Sequence, residues 1–361
     1  MPYFYTKDLN VGYNGNVLIK DINVSIEKGK ILTLIGPNGA GKSTILKSIT
    51  RHLEKIGGDV YIGENEVWSW DLKEMARSVA VVLTDRINPD LMTCEDVVAM
   101  GRYPYTNVVG KMTPHDQEVV NEALDRVHAL DLAERDFSTL SDGQKQRIML
   151  ARAIAQEPEV IVLDEPTAYL DIRHKIELLD ILRHMAHEKG ITVVMTLHEI
   201  DLATKISDYI VCVKGDTIAA FGKPDDILHG DAIDKLYDIE HGSYDLLFGS
   251  VELTKPEGAP KVFVVAGAGF GAPVFRALQK SQTPFAAGIL FENDVDYRIA
   301  KELSDNIVSV PAFTPMTEES YKKAEELMLS CQKVLDAGAP MGPLNSLNQR
   351  LLEKAREAGL L

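Results

Sequence analysis

Residues 30–44 of the chain are Lys30-Ile-Leu-Thr-Leu-Ile35-Gly36-Pro37-Asn38-Gly39-Ala40-Gly41-Lys42-Ser43-Thr44. The apolar run before Gly36 predicts a strand, and the residues after Gly41 predict a helix. This GxxxxGK[ST] pattern is typical of a phosphate-binding loop, because glycines let backbone N–H groups wrap round phosphates at a positive helix N-terminus. Lys42 can then reach the β and γ phosphates, and the Ser43 hydroxyl can bind Mg²⁺. The alternative is a glycine-rich turn with a structural role only.

A second apolar strand, Val160-Ile-Val-Leu163, ends in the carboxylates Asp164 and Glu165. A carboxylate at this position suits the coordination of Mg²⁺, directly or through water. Its neighbour Glu165 can act as a general base or can position the attacking water. Alone, the pair could be a solvated strand end, but the combination with the phosphate loop favours phosphoryl chemistry.

Composition limits the class of protein. The chain has 361 residues, of which 45% are hydrophobic and 25% charged, and a net charge of −16. Such an acidic chain argues against a nucleic-acid partner. The apolar runs have the length of strands, whereas a membrane-spanning helix needs roughly 20 apolar residues, so we expect no membrane span and no signal peptide. The three cysteines lie far apart, and we interpret them as reduced thiols.

Between the two motifs lies the segment Leu140-Ser141-Asp142-Gly143-Gln144, followed by a predicted helix from Lys145 to Ala155. Phosphate loop, this signature segment and the acidic strand occur in the order typical of ABC ATPases, and residues 1 to about 250 resemble that family. The resemblance implies ATP as substrate with Mg²⁺, and head-to-tail dimers in which the signature segment caps the γ-phosphate held by the other copy. It assigns that role to Ser141 and Gly143, with Gln144 beside them, and assigns ATP contacts to residues 36–44.

The resemblance assigns further roles. Tyr13 matches the aromatic residue that stacks on adenine, Asp171 lies in the subunit-contact loop, and His198 matches the γ-phosphate sensor. Glu165, His198 and Lys42 are therefore the candidate catalytic residues, and Ser43 and Asp164 the metal ligands. Two positions depart from the family. Asp142 replaces a glycine, and we expect its side chain to point away from the phosphate. Thr84, followed by Asp85, replaces a glutamine that touches Mg²⁺. Threonine is too short to make that contact directly, so a water bridging Thr84 to the metal, or Asp85, would have to substitute.

The alternation of strands and helices predicts an α/β protein. We expect an ABC ATPase domain over residues 1–252, with a β-rich edge around Tyr13 and a helical subdomain near residues 85–155. The stretch 253–260 predicts a linker, because it contains two prolines and a glycine. Residues 261–361 then predict a small α/β domain with a mostly parallel sheet.

Residues 92–105 and 196–203 are similar to segments of importers for ferric siderophores, haem and cobalamin. The resemblance implies an ATPase subunit that lies on the cytoplasmic face of the membrane through a permease. A second copy of the chain and, indirectly, a substrate-binding protein complete the expected partners. Two alternatives stay open: a soluble ABC ATPase of DNA repair or translation, and a nucleotide-sensing module without hydrolysis.

The C-terminal region carries a second glycine pattern. The predicted strand Val262–Ala266 continues into Gly267-Ala-Gly269-Phe-Gly271-Ala272, and the next predicted strand ends at Glu292. The pattern G-x-G-x-x-[G/A] between strand and helix is typical of nucleotide binding, with an acid at the ribose. A tight packing turn explains it equally well. With no evident nucleophile–base pair in the region, we expect sensing of a ligand or dimerisation.

Overall fold

The computed structural model describes residues 1–83, 89, 91–106, 111–246 and 248–361. Within them the chain forms two compact units, one over Met1–Tyr237 and one over Asp238–Leu361. We refer to these as the N-terminal unit and the C-terminal unit.

A six-stranded sheet forms the core of the N-terminal unit, in the order β11-β10-β4-β9-β8-β7. All neighbours are parallel except β10 and β11. Strands β4, β8 and β9 are buried along their whole length, as expected for central parallel strands covered on both faces. The sheet comprises β4 (Ile31–Ile35), β7 (Val79–Val82), β8 (Val160–Leu163), β9 (Thr192–Thr196), β10 (Tyr209–Lys214) and β11 (Thr217–Gly222).

An antiparallel sheet lies at the N-terminus of the same unit, in the order β2-β1-β5-β6, with β3 also paired to β1. Tyr13 is the last residue of β1. The strands are β1 (Phe4–Tyr13), β2 (Asn16–Ile22), β3 (Ser25–Ile26), β5 (Gly57–Ile62) and β6 (Asn65–Glu66).

Capping boxes set the starts of α4 and α5, where Thr113 pairs with Asp116 and Ser141 pairs with Gln144. The helices of this unit are α1 (Lys42–Ile49), α2 (Leu72–Ser78), α3 (Cys94–Ala99), α4 (Pro114–Arg126), α5 (Asp142–Ala155), α6 (Ile172–His187), α7 (Ile200–Ile206), α8 (Pro224–Ile227) and α9 (Ala232–Tyr237). Short 3₁₀ helices cover Val67–Ser69, Met100–Tyr105, Leu130–Leu132 and Phe137–Thr139.

The C-terminal unit contains a hairpin of β12 (Ser243–Asp245) and β13 (Ser250–Glu252) and a four-stranded parallel sheet in the order β16-β15-β14-β17. Helices α10 and α11 contribute to the core on one face of this sheet, and α12 and α13 to the core on the other. The elements are β14 (Val262–Val265), α10 (Ala272–Lys280), β15 (Phe285–Phe291), α11 (Val295–Leu303), β16 (Asn306–Val310), α12 (Glu318–Leu329), β17 (Lys333–Asp336) and α13 (Ser346–Glu357).

The predicted α/β class is confirmed, as is the predicted parallel sheet of the C-terminal region, which has four strands. The boundary between the compact units lies before the predicted linker, since the hairpin β12–β13 belongs to the C-terminal unit. Its Glu252 is buried and pairs with Arg276 of α10. Across the described residues, no helix is both long enough and apolar enough to cross a lipid bilayer.

Candidate functional site

The loop between β4 and α1 takes a conformation that depends on glycine. At Gly36 φ is +147°, and a Cβ there would come 2.2 Å from the Val213 carbonyl oxygen of β10. Gly41 is the N-cap of α1 with φ of +92°, a left-handed value that L side chains rarely adopt. The residues of the motif therefore have the backbone freedom that a phosphate-binding loop needs.

Lys42 is 6% exposed and its ammonium group folds back onto the loop. The Nζ atom donates to the carbonyl oxygens of Gly36 (2.7 Å) and Pro37 (2.9 Å). Burial lowers the pKa of this lysine, and the negative charges of Glu165 and Asp164 oppose that shift. The ammonium group of Lys42 is thus a cation beside the loop. An anionic ligand could replace the two carbonyl oxygens that now accept its hydrogen bonds.

Ser43 and Asp164 form a pair of hard oxygen donors. The Ser43 Oγ donates to Asp164 Oδ1 over 3.0 Å, and Thr196 Oγ1 donates to the same oxygen over 2.7 Å. A hydroxyl beside a carboxylate fits Mg²⁺, which takes few protein ligands and completes its shell with water and phosphate oxygens. In the part of the chain that the structure describes, no cluster of three or more His, Cys, Asp or Glu side chains could hold a metal ion.

Glu165 and His198 are in direct contact. The distance from His198 Nε2 to Glu165 Oε1 is 2.6 Å, and the Glu165 backbone N–H donates to Thr196 Oγ1 over 2.8 Å. Glu165 has a φ of +50°, which turns the chain sharply after β8. Thr196 therefore links the two carboxylate residues, one through its side chain and the other through its backbone.

These groups surround a cleft of about 320 Å³. Tyr13 lies at its edge, about half exposed, with its hydroxyl 3.2 Å from Thr44 Oγ1. The cleft is lined by Tyr13, Leu18, Asn38, Gly39, Gly41, Lys42, Ser43, Thr44, Glu165 and His198. An aromatic edge, a glycine loop with a lysine, and a carboxylate–histidine pair therefore share one cleft within a single chain.

The signature segment does not line this cleft. Ser141 caps α5 by accepting from the Gln144 N–H over 3.3 Å, and Asp142 is exposed at the first helical position. A Cβ at Gly143 would lie 3.2 Å from Leu170, which precedes Asp171, the N-cap of α6. Ser141, Gly143, Gln144 and Asp171 are thus not among the residues that line the cleft in the same chain. Thr84 and Asp85 fall outside the described residues.

Two residues of the site had no assignment from sequence. Thr196 ends β9, and two sequence signals point toward it: it lies two positions before His198, and it is the first residue of the importer-like segment 196–203. Tyr237 ends α9, and its hydroxyl accepts a hydrogen bond from the Gly36 N–H over 3.2 Å. Nothing in the sequence around Tyr237 indicates that contact, because the two residues are brought together by the fold alone.

Of the residues proposed for a ligand in the C-terminal unit, Gly267 lines a cavity of about 390 Å³ formed by described residues of that unit. Gly269, Gly271 and Glu292 do not, and Glu292 is exposed, with the Ser309 hydroxyl 3.3 Å away.

Two family models match different parts of the chain. The ABC transporter family model matches residues 19–168, and a family model described as MJ0874 family matches residues 285–360. The chain is 43% identical over 286 residues to the ABC transporter ATP-binding protein MJ0873 of Methanocaldococcus jannaschii, covering 79% of this chain and 99% of that protein.

The names of two other relatives state the compound that is imported. The iron(3+)-hydroxamate import ATP-binding protein of Bacillus subtilis is 35% identical over 235 residues, which cover 65% of this chain and 87% of that protein. The cobalamin import ATP-binding protein of Halobacterium salinarum is 31% identical over 334 residues, which cover 91% of this chain and 83% of that protein.

The fold agrees with these relatives. A dimeric structure of the bacterial ABC transporter cassette MJ0796 superposes with a TM-score of 0.55 at 26% identity, covering 61% of this chain and 98% of that one. With its phosphate loop, acidic strand end and signature segment on the same architecture, the chain belongs to the ATP-binding subunits of ABC transporters and is an ATPase of that family.

Proposed function

We propose that the chain hydrolyses ATP to drive import of an iron chelate or of a tetrapyrrole such as cobalamin or haem. The observation that carries the hydrolytic part is the Glu165–His198 contact of 2.6 Å beside the Ser43–Asp164 pair. A chain that only sensed nucleotides would not need a carboxylate oriented in this way next to the phosphate loop.

Each group in the cleft has a role in this proposal. The loop amides and Lys42 hold the phosphates, with the ammonium leaving its carbonyl partners for phosphate oxygens. Ser43 and Asp164 would hold Mg²⁺, which would supply positive charge beside the transferring phosphoryl group. Glu165 accepts a hydrogen bond from the attacking water and orients it. His198, the predicted γ-phosphate sensor, lies against the same carboxylate through Nε2. Tyr13 stacks on the adenine.

A second copy of the chain completes the site. Ser141 and Gly143 lie at the exposed N-terminus of α5 and do not line the cleft of their own chain. Backbone N–H groups at such a terminus are an anion site, and Ser141 gives the helix a capped, rigid start. In a head-to-tail dimer the signature segment of one copy covers the γ-phosphate held by the other, and Asp171 lies in the contact between subunits.

A groove in the N-terminal unit suits the permease. It measures about 490 Å³ and is bordered by the exposed side chains Leu72 and Tyr103, with Met100 between them at 40% exposure. These residues come from α2 and from the 3₁₀ helix Met100–Tyr105, which belongs to the importer-like segment 92–105. The acidic subunit would sit on the cytoplasmic side of the membrane, bound to the permease, with a substrate-binding protein as an indirect partner.

The names of the relatives support the cargo class. Iron(3+)-hydroxamate and cobalamin are the cargoes named for two relatives at 35% and 31% identity. The second of these relatives matches 91% of this chain, so the likeness extends beyond the ATPase. Transport of ferric hydroxamate, haem and cobalamin into vesicles containing the chain with its permease would test the cargo. Uptake of none of the three would contradict this part of the proposal.

Hydrolysis is tested with Glu165→Gln. The amide keeps the shape of the side chain but cannot take a proton or a strong hydrogen bond from water, so the rate should fall about 100-fold or more while ATP binding and the closed dimer persist. Phosphate release and size-exclusion chromatography with ATP measure both. Glu177→Gln on α6, where the half-buried carboxylate pairs with the exposed Arg173, is the matched control. Near-normal turnover in Glu165→Gln would overturn the assignment.

A further inference from the structure

A cavity of about 390 Å³ lies at the carboxyl ends of the strands of the four-stranded sheet in the C-terminal unit. Chain segments that follow β14, β15 and β17 line it. In the order β16-β15-β14-β17 the chain runs outward from β14 in one direction and then returns to its other side. Open parallel sheets bind ligands at such a reversal, outside the carboxyl ends of the strands, so the topology marks this cavity as a binding position.

The glycine-rich loop at this position does not offer its amides to a ligand. The Ala268 N–H donates to Asp294 Oδ2 over 2.7 Å. The N–H groups of Gly271 and Ala272 donate to the two oxygens of Asp296 over 2.8 and 3.0 Å. Asp296 is completely buried. A phosphate on this loop would have to displace these carboxylates or lie against them, and both alternatives are unfavourable.

Packing explains the third glycine of the loop without any ligand. A Cβ at Gly271 would lie 2.6 Å from both the Ala266 Cβ and the Phe275 ring, so only glycine lets α10 pack against the end of β14. The G-x-G-x-x-[G/A] pattern in this unit is therefore explained by close packing around the buried Asp296 carboxylate. Any ligand of the cavity must be recognised by other groups.

The lining of the cavity indicates what those groups are. Apolar side chains dominate it, namely Ala266, Ile289, Phe291, Met316, Met341 and Leu344. Its two asparagines already bond to backbone groups: Asn348 to both polar atoms of Ile289, and Asn345 to Gly342 and Pro340.

Asp294 is the charged residue among the lining residues, and none of them is Lys, Arg or His. Its Oδ1 and Oδ2 accept the N–H groups of Asp296 and Ala268. A carboxylate oxygen has two lone pairs, so each oxygen can accept one more hydrogen bond from within the cavity. An apolar wall with one carboxylate attracts a cation and repels an anion.

We propose that this cavity binds a small apolar cation, a compound with an aromatic or aliphatic body and an amine that donates to Asp294. The volume lies within the range of about 300–1,000 Å³ typical of small-molecule sites. The proposal concerns the C-terminal unit alone and does not depend on the cargo of the transporter.

Three probes with the same ring and different charge test it: tryptamine, indole and indole-3-propionate. Titration calorimetry of the full chain without nucleotide should show tryptamine binding at least about tenfold more tightly than indole-3-propionate, with indole between them. Asp294→Asn keeps an oxygen to cap α11 but removes the charge, so tryptamine should fall to the affinity of indole. Asp305→Asn, which alters an exposed pair with Lys255, is the control and should bind as the parent chain does. Met341→Trp should fill the cavity and abolish binding of all three.

Several results would overturn the proposal. One is tighter binding of indole-3-propionate or of inorganic phosphate than of tryptamine. Another is the absence of saturable tryptamine binding up to about 1 mM, since a specific site of this size should reach at least that affinity. Binding that survives both Met341→Trp and Asp294→Asn would place the probe elsewhere on the chain. If Met341→Trp fails to fold, Asp294→Asn and Asp305→Asn still decide the question.

Discussion

Asp142 stands where the family has glycine, at the first position of α5, and its side chain is exposed. There its charge stabilises the helix N-terminus by about 0.3–1 kcal/mol. We expect Asp142→Gly to lower the melting temperature slightly and to change the ATPase rate less than about threefold, which corresponds to about 0.7 kcal/mol. Thermal melting and steady-state hydrolysis measure the two effects. A tenfold change in rate in either direction would show that the carboxylate acts at the nucleotide.

Tyr237 supports the phosphate loop from α9. Its hydroxyl accepts from the Gly36 N–H, and the Gly36 carbonyl oxygen accepts from Lys42. Loss of such a hydrogen bond costs about 0.5–1.5 kcal/mol. We therefore expect Tyr237→Phe to weaken ATP binding about three- to tenfold and to leave turnover at saturating ATP nearly unchanged.

Measured KM and kcat separate these two effects. Tyr209→Phe is the matched control. Among the described residues, the hydroxyl of Tyr209 bonds only to the carboxylate of Glu27. Equal ATP affinity in Tyr237→Phe and the parent chain would show that the hydroxyl does not position the loop.

At the scale of elements, a buried cation joins helices of the predicted helical subdomain. Arg102 is 2% exposed and lies in the 3₁₀ helix after α3. It donates to Asp116 at the start of α4 over 2.9 Å, and to the Ala155 carbonyl and Glu157 at the end of α5 over 2.8 and 2.7 Å. Hydrogen bonds from Thr113 and the Arg102 charge lower the pKa of Asp116 to about 2. One side chain thus joins three helical segments.

Removing this cation should destabilise the subdomain strongly. Arg102→Met leaves the buried Asp116 carboxylate without its counter-charge, so the free energy of unfolding should fall by about 3 kcal/mol or more. Denaturant unfolding followed by tryptophan fluorescence measures this, because both tryptophans, Trp68 and Trp70, lie in the N-terminal unit. Arg126→Met on the exposed face of α4 should change stability by less than about 0.5 kcal/mol. Equal effects of the two substitutions would contradict the structural role of Arg102.

At the scale of the molecule, the two compact units predict where the chain can be cut. A chain that ends at Glu240 keeps α9 and Tyr237, and we expect it to hydrolyse ATP within about threefold of the full rate. A chain that ends at Leu253 keeps the hairpin β12–β13 but lacks Arg276, the partner of buried Glu252. We therefore expect a protease to digest residues 241–253 of this longer chain rapidly.

Limited proteolysis and steady-state hydrolysis of both truncated chains provide the measurement. Loss of ATP binding in the chain ending at Glu240 would show that the C-terminal unit is part of the ATPase fold. A protease-resistant tail in the longer chain would place the domain boundary after the hairpin, as the sequence predicts.

The sequence by itself determined the features that are continuous along the chain. The phosphate loop, the acidic end of β8 and the signature segment each place their functional groups within a few residues of one another. Local geometry follows directly from such spacing, so the strand–loop–helix around Lys42 and the helix after the signature segment could be predicted, although that helix begins at Asp142 rather than at Lys145. Alternation of apolar and helical patterns likewise predicted the α/β class and the parallel sheet of the C-terminal region.

Only the tertiary structure decided the contacts between residues distant in sequence. Thr196 bonds to both Asp164 and Glu165, which lie on another strand end. Tyr237 accepts a hydrogen bond from Gly36, and Arg102 is buried between helical segments. The glycine loop of the C-terminal unit makes the same point, since a sequence pattern cannot show whether its amides face a ligand or a carboxylate. There Asp294 and Asp296 occupy them, because the parallel pairing of β14 with β15 brings the ends of both strands to one edge of the sheet.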